Sequence, residues 1–143
     1  MVKNHLKRLV APRTWKILRK QNNFVIKPNP GGQGLRRSLP LAFVFKEQLG
    51  LARTTKEVKA ILSNKEILIN GKRVKDVRRP MALMDILEIK PTAQFFRMVL
   101  DKKGKLDIKK IKKEEAGTRL IKIRGKTLLK GGRVQLNLRD GSN

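Results

Sequence analysis

Few residues in this chain have the types and spacing that chemistry requires. It contains no cysteine and a single histidine, His5, which removes thiolate nucleophiles, disulfides and sulfur-based zinc sites, and most transition-metal sites with them. Catalysis needs groups in matched roles, such as a nucleophile beside a base or two converging carboxylates. His5 has no serine, cysteine or paired acid near it in the sequence. Glu114-Glu115 is the one adjacent acidic pair, and it lies among Lys112, Lys113 and Arg119, where solvated salt bridging is the plain reading. The Gly-Gly steps at 31 and 131 lack the Gly-Lys-Ser or Gly-Lys-Thr ending of a phosphate-binding loop. No cofactor, metal or small-molecule substrate is therefore expected, and no enzymatic activity.

What remains is positive charge. Among 143 residues, 36 Lys and Arg face 11 Asp and Glu, a formal net charge of +25. A charge of that size calls for a polyanion, and nucleic acid, an anionic membrane and an acidic protein could each supply one. No apolar run approaches the roughly 20 residues that span a bilayer, and 1–10 lack the apolar centre of a secretory signal. A soluble, unexported chain is expected. The cations cluster: eleven, from Lys3 to Lys46, precede the first acid, Glu47.

The elements that carry these cations read as an α+β fold in three segments. Residues 1–37 form a basic amino-terminal extension broken by Pro12, Pro28, Pro30, Gly31, Gly32 and Gly34. A like-charge block of this kind often stays unfolded. However, Leu6, Leu9, Trp15, Ile17, Phe24, Val25 and Ile26 are too many apolar residues for a pure electrolyte. The extension is expected to fold against RNA or against its own domain, with Trp15 either stacked on a base or packed in a core.

Residues 38–91 read as a compact module. Ser38 is placed as the N-cap of a first helix, with Pro40 in its first turn and Gly50 as its stop. Leu41, Val44, Phe45, Gln48 and Leu49 would form its apolar face. Thr54 and Glu57 make the capping-box spacing for a second helix that runs to about Asn64, with Val58, Ile61 and Leu62 facing inward. Asn70-Gly71 between two β-branched stretches is the strongest local hairpin signal. Arg79-Pro80 reads as a turn, and 83–89 as a further strand. Residues 92–143 then read as a mostly β domain, with strands at 95–100, 106–108, 120–123, 127–129 and 134–138 and a helical turn at 112–116. Asp140-Gly141 is a turn signal with no strand to follow it, so this domain is expected to continue beyond 143.

The cations fall on particular elements. Arg36 and Arg37 precede the first helix, Arg53 precedes the second, Lys56 and Lys59 lie along it, and Lys72 and Arg73 sit at the hairpin. Together they could make one basic face. A helix amino terminus presents free N–H groups and a positive dipole end, so Arg53 with Thr54 reads as a phosphate position.

Two stretches resemble a known family. The run 54–62, then 67–74 and 85–89, is similar to the alpha-L RNA-binding module, with Asn64 and Met84 standing where that module often has glycine. Upstream, His5, Lys7, Arg8, Leu9, Pro12, Trp15 and Ile17 resemble the amino-terminal signature of the archaeal and eukaryotic small-subunit ribosomal protein four family. Thr118, Gly131-Gly132, 134–138 and Asp140-Gly141 are similar to that family's central domain. Family members usually continue into a KOW-type barrel, which this sequence lacks.

The resemblance implies a structural constituent of the small ribosomal subunit, in the cytoplasmic ribosome. Its expected partners are small-subunit ribosomal RNA and neighbouring ribosomal proteins, with no membrane and no homo-oligomer. It implies two helices packed on a short antiparallel sheet for 38–91. The expected RNA contacts are His5, Lys7, Arg8, Arg13, Trp15, Lys16, Arg36, Arg37, Arg53, Thr54, Lys56, Lys59, Lys65, Lys72 and Arg73. The mechanism expected is many phosphate contacts with steep salt dependence and specificity from RNA shape. A free-standing nucleic-acid binder and an accessory module of an RNA-modifying enzyme are the alternatives.

Overall fold

The computed structural model describes residues 5–64 and 66–143. The chain opens with two short antiparallel strands, β1 (His5–Lys7) and β2 (Phe24–Ile26), in the register His5 to Ile26. Next come β3 (Ser38–Pro40), α1 (Leu41–Phe43) continuing as a π turn over Val44–Gln48, and α2 (Thr55–Asn64). The strands β4 (Ile67–Ile69), β5 (Lys72–Arg73), β6 (Pro80–Ala82), β7 (Ile86–Ile89), β8 (Gln94–Leu100) and β9 (Leu106–Ile111) follow. A hairpin of β10 (Ile123–Leu128) and β11 (Val134–Leu138) comes last. The mixture of helix and antiparallel sheet agrees with the α+β expectation.

One five-stranded antiparallel sheet, in the order β5-β4-β7-β8-β9, organises the molecule. It passes straight through residue 91, because β7 pairs with β8 from Ile86 opposite Arg97 to Ile89 opposite Gln94. Residues 94–111 thus share one sheet and one core with 38–91, in which Ile67, Leu87, Ile89, Phe96, Met98 and Leu106 are all buried, while β10 and β11 form a separate hairpin.

The first helix differs from the sequence reading. Pro40 disfavours the helical region for the residue before it, and Pro40 itself is extended at φ −67°, ψ 142°. The backbone over Ser38–Pro40 therefore pairs with β6 instead of capping a helix, and Ser38 Oγ donates backward to the Gly34 carbonyl at 3.3 Å. Pro80, read as a turn residue, is the strand partner of Pro40. Helix begins only at Leu41. It widens at once, with the Leu49 amide donating to the Val44 carbonyl five residues back at 2.9 Å, and Gly50 follows in the left-handed region at φ +64°.

Leu41 to Phe45 are buried on every side, where an amphipathic helix would bury a stripe. The amino-terminal extension accounts for this. Trp15 is 1% exposed, its ring lies 5.7 Å from that of Phe43, and its Nε1 donates to the Leu35 carbonyl at 3.0 Å. The Leu106 amide donates to Thr14 at 2.7 Å, tying the extension to β9. Of the two readings of Trp15, core packing is the one the fold adopts.

Candidate nucleic-acid interface

Arg8 and Trp15, both expected to touch RNA, lie inside. Arg8 is 4% exposed; its guanidinium is ion-paired with Glu47 and also donates to the Leu18 carbonyl at 2.9 Å. A buried cation must be paired, and Arg8 is consumed in fixing the extension to the helix. Neither residue is a surface contact. His5 and Lys7 are exposed on β1, and His5 stands edge-on to Phe24 with ring centroids 5.5 Å apart. Lys16 is exposed and reaches Asp107 at 3.4 Å.

The amino end of α2 is also partly occupied. Thr54 Oγ1 accepts from the Glu57 amide at 3.2 Å and donates to the Glu57 carboxylate at 2.9 Å, while the Arg53 amide donates to the same carboxylate at 2.8 Å. The Arg53 amide first, and then the Thr54 hydroxyl, hold Glu57 below the ordinary carboxylate range. The capping box expected from the sequence is therefore present, and it places the chain's own anion where a phosphate was expected. Thr54 serves as the cap, and both it and the Arg53 side chain are exposed.

Beyond that cap, Lys56, Lys59 and Ser63 follow one another at helical neighbour spacing along α2, and both lysines are exposed. Lys72 and Arg73 form the exposed edge strand β5, positioned by the Asn70-Gly71 turn, whose φ values of 51° and 76° are those of the tight hairpin type. Arg73 Nη2 reaches the Ser63 carbonyl at 3.4 Å, which brings the hairpin to the last turn of the helix. The hairpin thus adjoins the carboxy-terminal end of α2, the helix whose first half carries Lys56 and Lys59. Lys65, expected in this group, lies outside the described residues. At the edge of this surface Glu66 pairs with Lys90 at 2.6 Å; each shifts the other's titration so that both charged forms are favoured.

Arg13, Arg36 and Arg37 are not part of that face. Arg36 and Arg37 end a short turn before β3, with Arg36 exposed, and with Arg13 they line an open groove against the carboxy-terminal segment. Sequence reasoning missed Arg19, whose guanidinium donates to the carbonyls of Arg8, Leu9, Ala11 and Pro12 at 2.9–3.2 Å and so braces the extension. No local pattern marks such a role. Among the described residues there is no cluster of His, Asp and Glu that could hold a metal, and no helix long and apolar enough to cross a membrane.

A small α+β scaffold with 36 Lys and Arg against 11 Asp and Glu carries many of its cations on exposed elements, which gives it the charge to attract a polyanion. Comparison with known proteins narrows the class. The profile of the RS4NT (NUC023) domain matches residues 2–32, and that of ribosomal family S4e matches residues 92–143. Small ribosomal subunit protein eS4 of Methanospirillum hungatei is 41% identical over 98% of this chain, and that of Nanoarchaeum equitans is 39% identical over 98%. The crystal structure of the 30S ribosomal protein S4e from Thermoplasma acidophilum superposes with a TM-score of 0.61 at 31% identity, covering 74% of this chain and 54% of that one. The chain belongs to the S4e family of ribosomal proteins. It spans 58% and 60% of the length of those two curated relatives.

Proposed function

We propose that this chain is a structural constituent of the small ribosomal subunit, without catalytic activity, that binds small-subunit ribosomal RNA in the cytoplasmic ribosome. The observation that carries the reading is the exposure of Lys56 and Lys59 along α2 and of Lys72 and Arg73 on β5, with the hairpin joined to the last turn of the helix through Arg73 and the Ser63 carbonyl. In this reading residues 38–91 act as an alpha-L type module, with α2 and the β4–β5 hairpin laid against RNA phosphates. The extension 1–37 and the β-rich segment 92–143 add further contacts with RNA and with neighbouring ribosomal proteins. Recognition is by backbone charge and RNA shape, since a deep A-form major groove is closed to side chains.

Sedimentation of a lysate of the source cells at low and high salt tests this. The chain is expected to travel with small subunits in low salt and to leave them progressively as salt rises. Recovery only in free fractions or on DNA would replace the reading with that of a free-standing nucleic-acid binder.

A further inference from the structure

The groove that holds Arg13, Arg36 and Arg37 lies apart from the helix and hairpin face. It is about 1570 Å³ in volume, and its walls come from three distant parts of the chain: residues 9–14 with Arg19, residues 32–37, and residues 122–124 with Arg139. Each wall is held in place. Arg19 braces the first through four backbone carbonyls. The second is pressed against the carboxy-terminal turn so closely that a Cβ on Gly32 would lie 1.7 Å from the Asp140 carbonyl oxygen. The third is tied down by Arg119, which bridges Asp85 at 3.1 Å and Asp140 at 2.7 Å.

Charge and apolar surface alternate along these walls. Arg13, Arg36, Arg37, Lys122, Arg124 and Arg139 line the groove, none of them engages a carboxylate among the described residues, and no acidic residue lines it. Asp140, beside the groove residue Arg139, and Asp85 are both engaged by Arg119. Between the cations stand Leu9, 69% exposed, Val10, 71%, and Ile123, 54%. Such a lining does not match a duplex, which presents phosphate and sugar to a shallow surface. It matches an unpaired strand, whose phosphates meet guanidinium groups while its bases and sugars lie on guanidinium planes and aliphatic side chains.

We propose that this groove holds an unpaired segment of RNA, as a second binding surface distinct from the helix and hairpin face. The proposal rests on the ribosomal RNA reading above and names a further site for the same partner. A chain with two such surfaces holds two RNA elements at a fixed separation.

The test is binding and hydroxyl-radical footprinting of the full chain on a small-subunit rRNA transcript. A groove variant (R36Q/R124Q/R139Q) is compared with a module variant (K56Q/K59Q/K72Q). All six positions are surface side chains, and an unchanged thermal melt confirms folding. The groove variant is expected to lose protection at unpaired nucleotides that the module variant keeps. Its salt slope should fall by about 2 and its affinity by roughly a hundredfold at 0.1 M salt, from three lost single-strand phosphate contacts. A groove variant with wild-type slope and footprint, or lost protections confined to paired nucleotides, would overturn the groove and leave the ribosomal reading standing. Failure of the wild-type chain to bind the transcript would overturn both.

Discussion

Replacing Arg119 with methionine should release the carboxy-terminal hairpin from the body of the protein. Its guanidinium is about one-quarter exposed and bridges two carboxylates that are each 11% exposed. Removing one partner of a fully buried pair costs about 3–5 kcal/mol. Here the carboxylates keep other donors: Asn70 Nδ2 and the Ala82 amide, both at 2.8 Å, for Asp85, and the Ser142 hydroxyl at 2.6 Å for Asp140. That residual solvation and the partial exposure bring the expected loss to about 3 kcal/mol. An isolated two-stranded hairpin is marginal in water, so the loss should appear as local opening rather than as global unfolding. In native-state hydrogen exchange, amides of β10 and β11 should speed up by roughly a hundredfold, with those of β7 and β8 unchanged. A double-mutant cycle with Asp140→Asn should give a coupling of about 1.5 kcal/mol. Equal acceleration in β7, β8 and the hairpin, or an additive cycle, would refute the assignment of Arg119 as the tether.

Trp15→Ala should cost about 3–5 kcal/mol in denaturant unfolding, the loss of a large core aromatic, whereas a Trp15 that served mainly to stack on RNA would leave stability nearly unchanged. Met84 sits in the left-handed region at φ +69°, which costs a non-glycine residue about 1–2 kcal/mol. Met84→Gly recovers that cost less the greater freedom of glycine in the unfolded chain, about 0.5–1 kcal/mol, so a rise in stability of up to about 1.5 kcal/mol is expected and a loss would refute the strain. Burial pushes the Asp140 carboxyl up, but donation from the Ser142 hydroxyl and amide and the charge of Arg119 outweigh it and leave the group below its ordinary 3.8. A depressed carboxyl contributes stability that is complete above its unfolded value and is lost as pH falls through the folded one. Acid titration should therefore loosen the hairpin only below about pH 4, and Asp140→Asn should remove that transition.

The parts of the fold legible in the sequence are those fixed by neighbours along the chain. Asn70-Gly71 selects its turn by local backbone preference, Thr54 with Glu57 forms its cap within one helical turn, and Gly50 stops the first helix. Met84, out of place where a glycine is usual, occupies the positive φ that would favour one. What escaped was set by partners distant in sequence. The extension reads as an electrolyte until Trp15 meets Phe43 and Arg8 meets Glu47. Ser38 looks like a cap until β6 supplies a strand partner. The S4e profile begins at 92, just after Pro91 breaks regular structure locally, and the pairing of β7 with β8 around that point is what no local signal announces. The candidate site divides the same way: Lys56, Lys59, Lys72 and Arg73 follow from element assignment, whereas Lys122, Arg124 and Arg139 approach Arg36 only through tertiary closure.

In the proposed function, exposed cations on α2 and β5 carry binding to small-subunit ribosomal RNA. That role is tested most directly by the salt dependence of that binding for the wild-type chain and for the K56Q/K59Q/K72Q variant. A steep log–log slope is expected for the wild-type chain and a slope shallower by about 2–3 for the variant, from three lost phosphate contacts. A flat wild-type slope, or a variant that binds as the wild type does at every salt concentration, would contradict it.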